Sequence, residues 1–144
     1  MFRFGLRLSV GLLGLCLVSC AKDNPRKPVF PVHGKVVDKD GKPATGALLV
    51  FHPVVGDAEP IKPSARVEND GSFALTTYDN ADGAPEGEYL VTVTWHQVVP
   101  HKGYNPSPST PDKLAGRYAK LEKSKLRFRI DKQDDNVLEL IQLH

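Results

Sequence analysis

Apolar and polar positions alternate with a period of two over much of the chain beyond residue 30, and no stretch of any length repeats with a helical period. Val32-His33-Gly34-Lys35-Val36 sets an apolar or small residue at every second position, the pattern of a strand with one buried face. A second strand carries Ala47, Leu49 and Phe51 on one side. Ser64 to Glu68 and Ser72 to Thr77 flank Asn69-Asp70-Gly71. An Asp-Gly pair supplies the backbone freedom that a tight hairpin demands, so the two arms are predicted to pair, with Ala65 and Val67 answering Phe73 and Leu75. Glu88 to His96 places Tyr89, Val91, Val93 and Trp95 on one face against Leu90, Thr92, Thr94 and His96 on the other. Its β-branched and aromatic content suits a pleated surface. Lys125 to Ile130 alternates Leu126, Phe128 and Ile130 inward with Lys125, Arg127 and Arg129 outward, and Val137 to Leu143 is apolar on both faces, so its register is unspecified. The predicted core draws Phe51, Phe73, Tyr89, Val91, Trp95 and Phe128 from different strands.

The 12 Gly and 12 Pro punctuate these strands at short spacing. Val98 to Gly116 breaks the alternation, because Pro100, Pro106, Pro108 and Pro111 preclude an internal strand; a loop of this length is often functional. At its end, Ser109-Thr110-Pro111-Asp112 combines a capping hydroxyl, Pro at a first helical position and an acid in the first turn, which predicts one or two helical turns pinned to the core by Tyr118. The fold class expected is all-β: an antiparallel, seven-stranded β-sandwich with one long Pro-rich loop and one short helical turn.

The start of the chain differs in kind. Arg3 and Arg7 precede an apolar run from Leu8 to Val18, and no acid occurs before Asp23. This is the layout of a secretory signal, shorter than the roughly 20 apolar residues of a spanning helix. Residues 1–19 are therefore expected to be a signal peptide, 20–28 a polar tether and 29–144 a single domain. Loss of residues 1–19 removes Arg3, Arg7 and Cys16, which balances the mature side-chain charge and leaves no partner for a disulfide. From the 19 basic and 17 acidic residues of the whole chain, nucleic acid is not expected as a partner.

The run closes with Leu17-Val18-Ser19-Cys20, which resembles the lipobox of bacterial lipoproteins. The resemblance implies that Cys20 is diacylated through its thiol and carries an acyl chain, of the palmitate type, on its amino group. Several chains anchor far more firmly than one, so the membrane is expected as a partner through the N-terminal anchor. Ala21 in the next position implies outer-membrane sorting. Along the domain, Gly34 and Val36, Asp40-Gly41-Lys42-Pro43, Gly46-Ala47, Asp70-Gly71-Ser72-Phe73 and Gly87-Glu88-Tyr89-Leu90-Val91-Thr92-Val93 together resemble the carboxypeptidase regulatory-like domains, small sandwiches of prealbumin (transthyretin-like) topology. Gly116-Arg117-Tyr118 and Ser124-Lys125-Leu126 are similar to the second half of small exported lipoproteins of planctomycete-type bacteria. That family implies a non-catalytic module and names no ligand.

Catalytic chemistry is correspondingly thin. The chain ends Ile141-Gln142-Leu143-His144, unlike the Tyr-Arg-Gly-Ser of transthyretin-like hydroxyisourate hydrolases. Lys35 and Asn136 could form a pilin-type isopeptide, but Val93 stands where the proton-shuttling acid belongs. There is no His-Glu-x-x-His, no Gly-x-Ser-x-Gly and no phosphate-binding loop, so neither an enzyme nor a cofactor is expected. Asp38-Lys39-Asp40-Gly41 and Asp79-Asn80-Ala81-Asp82-Gly83 begin like calcium loops but lack the closing Glu and are predicted to be turns. His33, His52 and His96 fall on outward strand positions without metal-ligand spacing.

Two function classes remain. One is an interaction or structural module of the cell envelope with a protein partner; the other is a module binding envelope glycan, for which the candidates are Tyr104, Tyr78 and His101. The row Lys123, Lys125, Arg127 and Arg129 is either a docking stripe for an anionic partner or an edge strand guarded by like charges, with Asp131, Asp134, Asp135 and Glu139 near enough to neutralise it.

Overall fold

The computed structural model describes residues 26–56, 60–96 and 110–144. The signal peptide and Cys20, together with Tyr104, His101 and most of the Pro-rich loop, lie outside them. The described chain is all-β: β1 (Val32–Val37), β2 (Leu48–Pro53), β3 (Ser64–Arg66), β4 (Ser72–Ala74), β5 (Gly87–Thr94), β6 (Arg127–Ile130), β7 (Asn136–Val137) and β8 (Ile141–Gln142). They form two four-stranded sheets. One has the order β3-β2-β5-β6; in the other β1 lies between β4 and the pair β7 and β8.

The alternating segments fold as their patterns dictate. Ala47, Leu49 and Phe51 are fully buried, as are Val91 and Val93, while Tyr89 and Trp95 are nearly so. The Phe51 ring meets Tyr89 edge-on at 6.0 Å and lies 6.2 Å from Phe128. Residues of both sheets contribute to one apolar core, an arrangement that fits a β-sandwich. Two polar tips are satisfied inside it. The Tyr89 hydroxyl donates to Pro85 O at 2.8 Å, its pKa pushed up to about 12 by burial and by neighbouring Tyr78, and Trp95 Nε1 donates to Thr45 O at 2.8 Å. Among the described residues no buried side-chain nitrogen or oxygen lacks a hydrogen-bond partner.

Three expectations are corrected. Strand pairing is not wholly antiparallel, and the described residues form eight strands in place of seven. The apolar C-terminal segment splits into β7 and β8, and both pair parallel to β1, Val32 opposite Asn136 and Val36 opposite Ile141. Asn136 causes the first contact, its side chain donating to Pro31 O and Asp131 O.

The arms around Asp70-Gly71 do not make a single-sheet hairpin. Glu68 N–H donates to Ser72 O, and Ser64 and Thr76 exchange bonds, but between those points β3 pairs with β2 and β4 pairs with β1. Ala65, Val67, Phe73 and Leu75 are all buried as predicted, and their arms belong to opposite sheets. Phe73 lies across from Gly34, where an added Cβ would fall 2.9 Å from its ring.

Lastly, the predicted helical turn after Ser109 is absent from the described part of that segment. Ala115 and Gly116 take φ of 49° and 72°, so the chain leaves the right-handed helical region directly after Leu114. Bonds from Ala115 N to Asp112 O and from Arg117 N to Leu114 O close simple turns instead. Tyr118 packs half-buried against the core, as expected.

Candidate functional site: cationic turns beside β5

β6 accompanies only the first half of β5, from Gly87 to Leu90. Residues 112–126 cover the remainder without forming a strand: Val91 N–H donates to Leu126 O and Val93 N–H to Tyr118 O, each at 2.9 Å, and Ser124 Oγ donates to Val91 O. Asp112 organises this cover. Its carboxylate accepts the N–H groups of Trp95, Leu114 and Gly116 at 2.9, 3.1 and 3.0 Å, and Lys113 N–H donates to Trp95 O at 2.8 Å. With the backbone so fixed, Lys113, Arg117, Lys123 and Lys125 all project into solvent.

Two clefts of about 460 and 520 Å³ flank Arg117, which lines both. His144 also lines both; the first adds Asp38, Lys39 and Lys113 around Trp95 and Leu114, and the second Lys123 and Lys125 around Tyr118 and Leu126. Lys113 Nζ sits 4.3 Å from the centre of the Trp95 ring, a cation–π contact. Arg117, Lys123 and Lys125 make no ion pair with a described acid. Two carboxylates beside the first cleft are spent on backbone. Asp112 is bonded as above, and Asp38 accepts from Asp40 and Lys42 N–H, both at 2.9 Å.

The predicted basic row divides at this point. β6 is an edge strand, and Arg127 reaches Glu88 at 3.5 Å while Arg129 reaches Asp131 at 2.9 Å and Glu88 at 3.9 Å. Hydrogen bonding and attraction from Asp131 raise the Arg129 pKa. These two arginines are paired with acids on an edge strand, whereas Lys123 and Lys125 join Arg117 in the second cleft. Sequence reading missed Arg117 and Lys113 because they stand on turns, where no period aligns them. The available signal was composition, five cations against one acid from Lys113 to Lys125.

The remaining candidates are not brought together. Tyr78 is half-buried; its hydroxyl accepts Lys27 N–H at 2.9 Å and the Arg26 guanidinium lies 5.1 Å from its ring centre. Of His33, His52 and His96, only His33 is exposed, 3.1 Å from Asp135. His52 and His96 follow buried Phe51 and Trp95 and so take the outward face as predicted, but they are half-buried and engaged rather than isolated. His52 Nε2 contacts Thr92 Oγ1 at 3.0 Å and His96 Nδ1 contacts Thr110 O at 2.7 Å. Burial, aided by the Lys62 charge, lowers the His52 pKa. Lys35 lies on the exposed face of β1 while the Asn136 amide is buried and engaged, so the isopeptide pair does not meet. Both Asp-rich stretches form turns; Asp82 accepts the N–H groups of Thr77, Tyr78 and Asp79. A third cleft, about 590 Å³, opens where β3 and β4 part. Its one guanidinium, Arg66, is bound to Gly46 O at 2.9 Å.

No family profile and no curated protein matches the chain. It is similar to a DUF3823 family protein from Parabacteroides merdae, whose crystal structure aligns with a TM-score of 0.42 at 15% identity over 82% of this chain and 47% of that one. The chain thus spans about half the length of that protein. No helix among the described residues is long and apolar enough to cross a membrane.

Proposed function

We propose that this chain is an exported, lipid-anchored, non-catalytic module of the cell envelope that holds an anionic partner against the turns beside β5. The observation that carries the reading is the contrast within one basic region: Arg127 and Arg129 are paired with acids, while Arg117, Lys123 and Lys125 are not. Unpaired cations beside apolar floors suit recognition of an anion, and a guanidinium such as that of Arg117 suits carboxylate or phosphate in particular. The lipobox-like Leu17-Val18-Ser19-Cys20 supports anchoring at Cys20. The carboxypeptidase regulatory-like assignment with prealbumin topology belongs to the same proposal. It is supported by Gly41 and Gly71, both at positive φ in the Asp-Gly turns of the resembling segments. Binding of neutral sugar on an aromatic platform is the less favoured reading, because the Tyr78 ring and hydroxyl are engaged by Arg26 and Lys27.

Mass spectrometry of the mature N-terminus tests the anchor: acyl mass on Cys20, and release of a Cys20→Ser variant from membranes, are expected. Retention on envelope material tests the docking. It is expected to fall steeply between about 0.1 and 1 M NaCl, over which the screening length drops from about 10 to about 3 Å. Salt-independent retention refutes it.

A further inference from the structure

We infer that the two clefts flanking Arg117 form a track for a polyanionic glycan, displayed at the end of the fold remote from the membrane anchor. The inference deepens the docking reading and rests on it.

Strand direction sets the display. β1 and β5 both start at the end marked by the Phe30–Ala84 bridge. Both finish at the other end, where Asp38 and Trp95 line one cleft with Arg117. The eight residues of β5, at about 3.3 Å each, separate these ends by about 25 Å. The tether is held at the first end. Arg26 Nη1 lies 3.2 Å from Asp79 and stacks on Tyr78, Lys27 N–H bonds the Tyr78 hydroxyl, and Phe30 exchanges two backbone bonds with Ala84. Cys20 precedes Arg26 by six residues, at most about 22 Å of extended chain. An acylated Cys20 therefore anchors the fold by the Tyr78 end and sends the cationic end outward, away from the headgroups of the anchoring bilayer.

The cover on β5 selects the kind of polymer. An acidic peptide gains affinity by adding a strand to a free edge, but the N–H groups of Val91 and Val93 are already bonded to Leu126 O and Tyr118 O, and residues 112–126 offer turns in place of an edge. Recognition must come from side chains alone. Cations recur along the track, Lys113, then Arg117, then Lys123 and Lys125, with Trp95–Leu114 and Tyr118–Leu126 between them, while Lys39 at the rim of the first cleft is paired with Asp40 at 3.4 Å. This alternation of cations with apolar floors suits linked rings that rest apolar faces on the floors and carry one carboxylate each.

The test uses the full chain. A Cys20→Ser variant is titrated with polygalacturonate, with poly-glutamate of matched charge as comparator. Expected are tighter binding of the glycan than of the peptide, a Kd at least about tenfold weaker after Arg117→Gln/Lys123→Gln/Lys125→Gln, and no change after Arg127→Gln/Arg129→Gln. Retained affinity in the triple variant, or preference for poly-glutamate, overturns the glycan track. Acylated protein on phosphatidylglycerol vesicles is expected to bind polygalacturonate with unchanged Kd; loss of binding there overturns the outward display. Absence of acyl mass on Cys20 removes the anchor and the display with it, while glycan binding by the Cys20→Ser chain stands or falls separately.

Discussion

Near the start of β5 an aspartate gathers three backbone N–H groups, and beyond its end a second aspartate does the same. Asp82 takes those of Thr77, Tyr78 and Asp79, and Asp112 those of Trp95, Leu114 and Gly116. Identical capping chemistry gives opposite surfaces. Around Asp82 the side chains turn inward or onto each other, with Tyr78 under Arg26, Asp79 paired with Arg26 and Gly83 buried. Around Asp112, Trp95 and Leu114 are buried as well, but the charged side chains of Lys113 and Arg117 are exposed and make no ion pair with a described acid. A fixed backbone is thus neutral as to role; what decides is whether a neighbouring segment brings countercharge and atoms to meet it. The N-terminal segment does so at the first turn, and nothing described does so at the second.

Glycine substitution separates the two ends most sharply. At Gly83 a Cβ would fall 1.8 Å from Phe30 O at φ +97°, whereas at Gly116, φ +72°, it would meet nothing within 4 Å. Gly83→Ala is expected to exceed the roughly 4–5 kcal/mol that marks exceptional destabilisation, enough to prevent folding. Gly116→Ala is expected to cost only the roughly 1–2 kcal/mol of left-handed strain. Equal unfolding midpoints would show that the Asp82 end is no more closed than the other. The core between them provides a reference: Phe73→Ala is expected to cost about 3–5 kcal/mol and exposed-side Ser72→Ala little, measured by chemical denaturation.

Next in size is an acid-side effect at one end. Burial raises the Asp82 pKa, but the N–H bonds from Thr77, Asp79 and Tyr78 outweigh it and leave the carboxyl below its ordinary value. A folded pKa below the unfolded value of about 3.9 gives stability that is present above that pH and lost as pH falls toward the folded value. Asp82→Asn is therefore expected to lower stability at pH 7 and flatten its decline below about pH 4; an undiminished decline would place the acid sensitivity elsewhere. Finally, Arg26→Ala is expected to cost under about 1 kcal/mol, since both partners are largely exposed, while loosening the N-terminal segment, read as faster cleavage ahead of β1 by a protease of broad specificity.

β2, β5 and β6 were legible in the sequence because each has one buried face, so alternation reports burial directly. The Asp70-Gly71 turn was equally legible, yet the parting of its arms was not: Ala65, Val67, Phe73 and Leu75 point inward whether the arms share a sheet or face each other across the core. β7 and β8 escaped prediction because Val137 and Leu140 remain 68% and 61% exposed, so apolarity there does not mark an inner face. The helical turn failed on backbone geometry at Ala115, which its side chain gives no means to foresee. Of the candidate site, Lys125 was visible from the predicted strand Lys125 to Ile130, although β6 begins only at Arg127, and Lys123 by extension of the same row. Arg117 and Lys113 gain their place only from the turns that Asp112 fixes.

β1 also sets the order in which this chain completes itself. Its neighbours include β7 and β8, and one bond of that contact, from Asn136 Nδ2 to Pro31 O, closes across 105 positions. Contacts so distant in sequence are slow to form, because the ends of a long flexible loop must first be brought together. During synthesis, or threading through a pore from the N-terminus, β1 emerges first and waits for nearly the whole chain before that side of it is paired. A polypeptide built this way stays open for most of its passage and is suited to transport unfolded. Its first strand meanwhile exposes backbone that is vulnerable to association until residues 136–142 arrive.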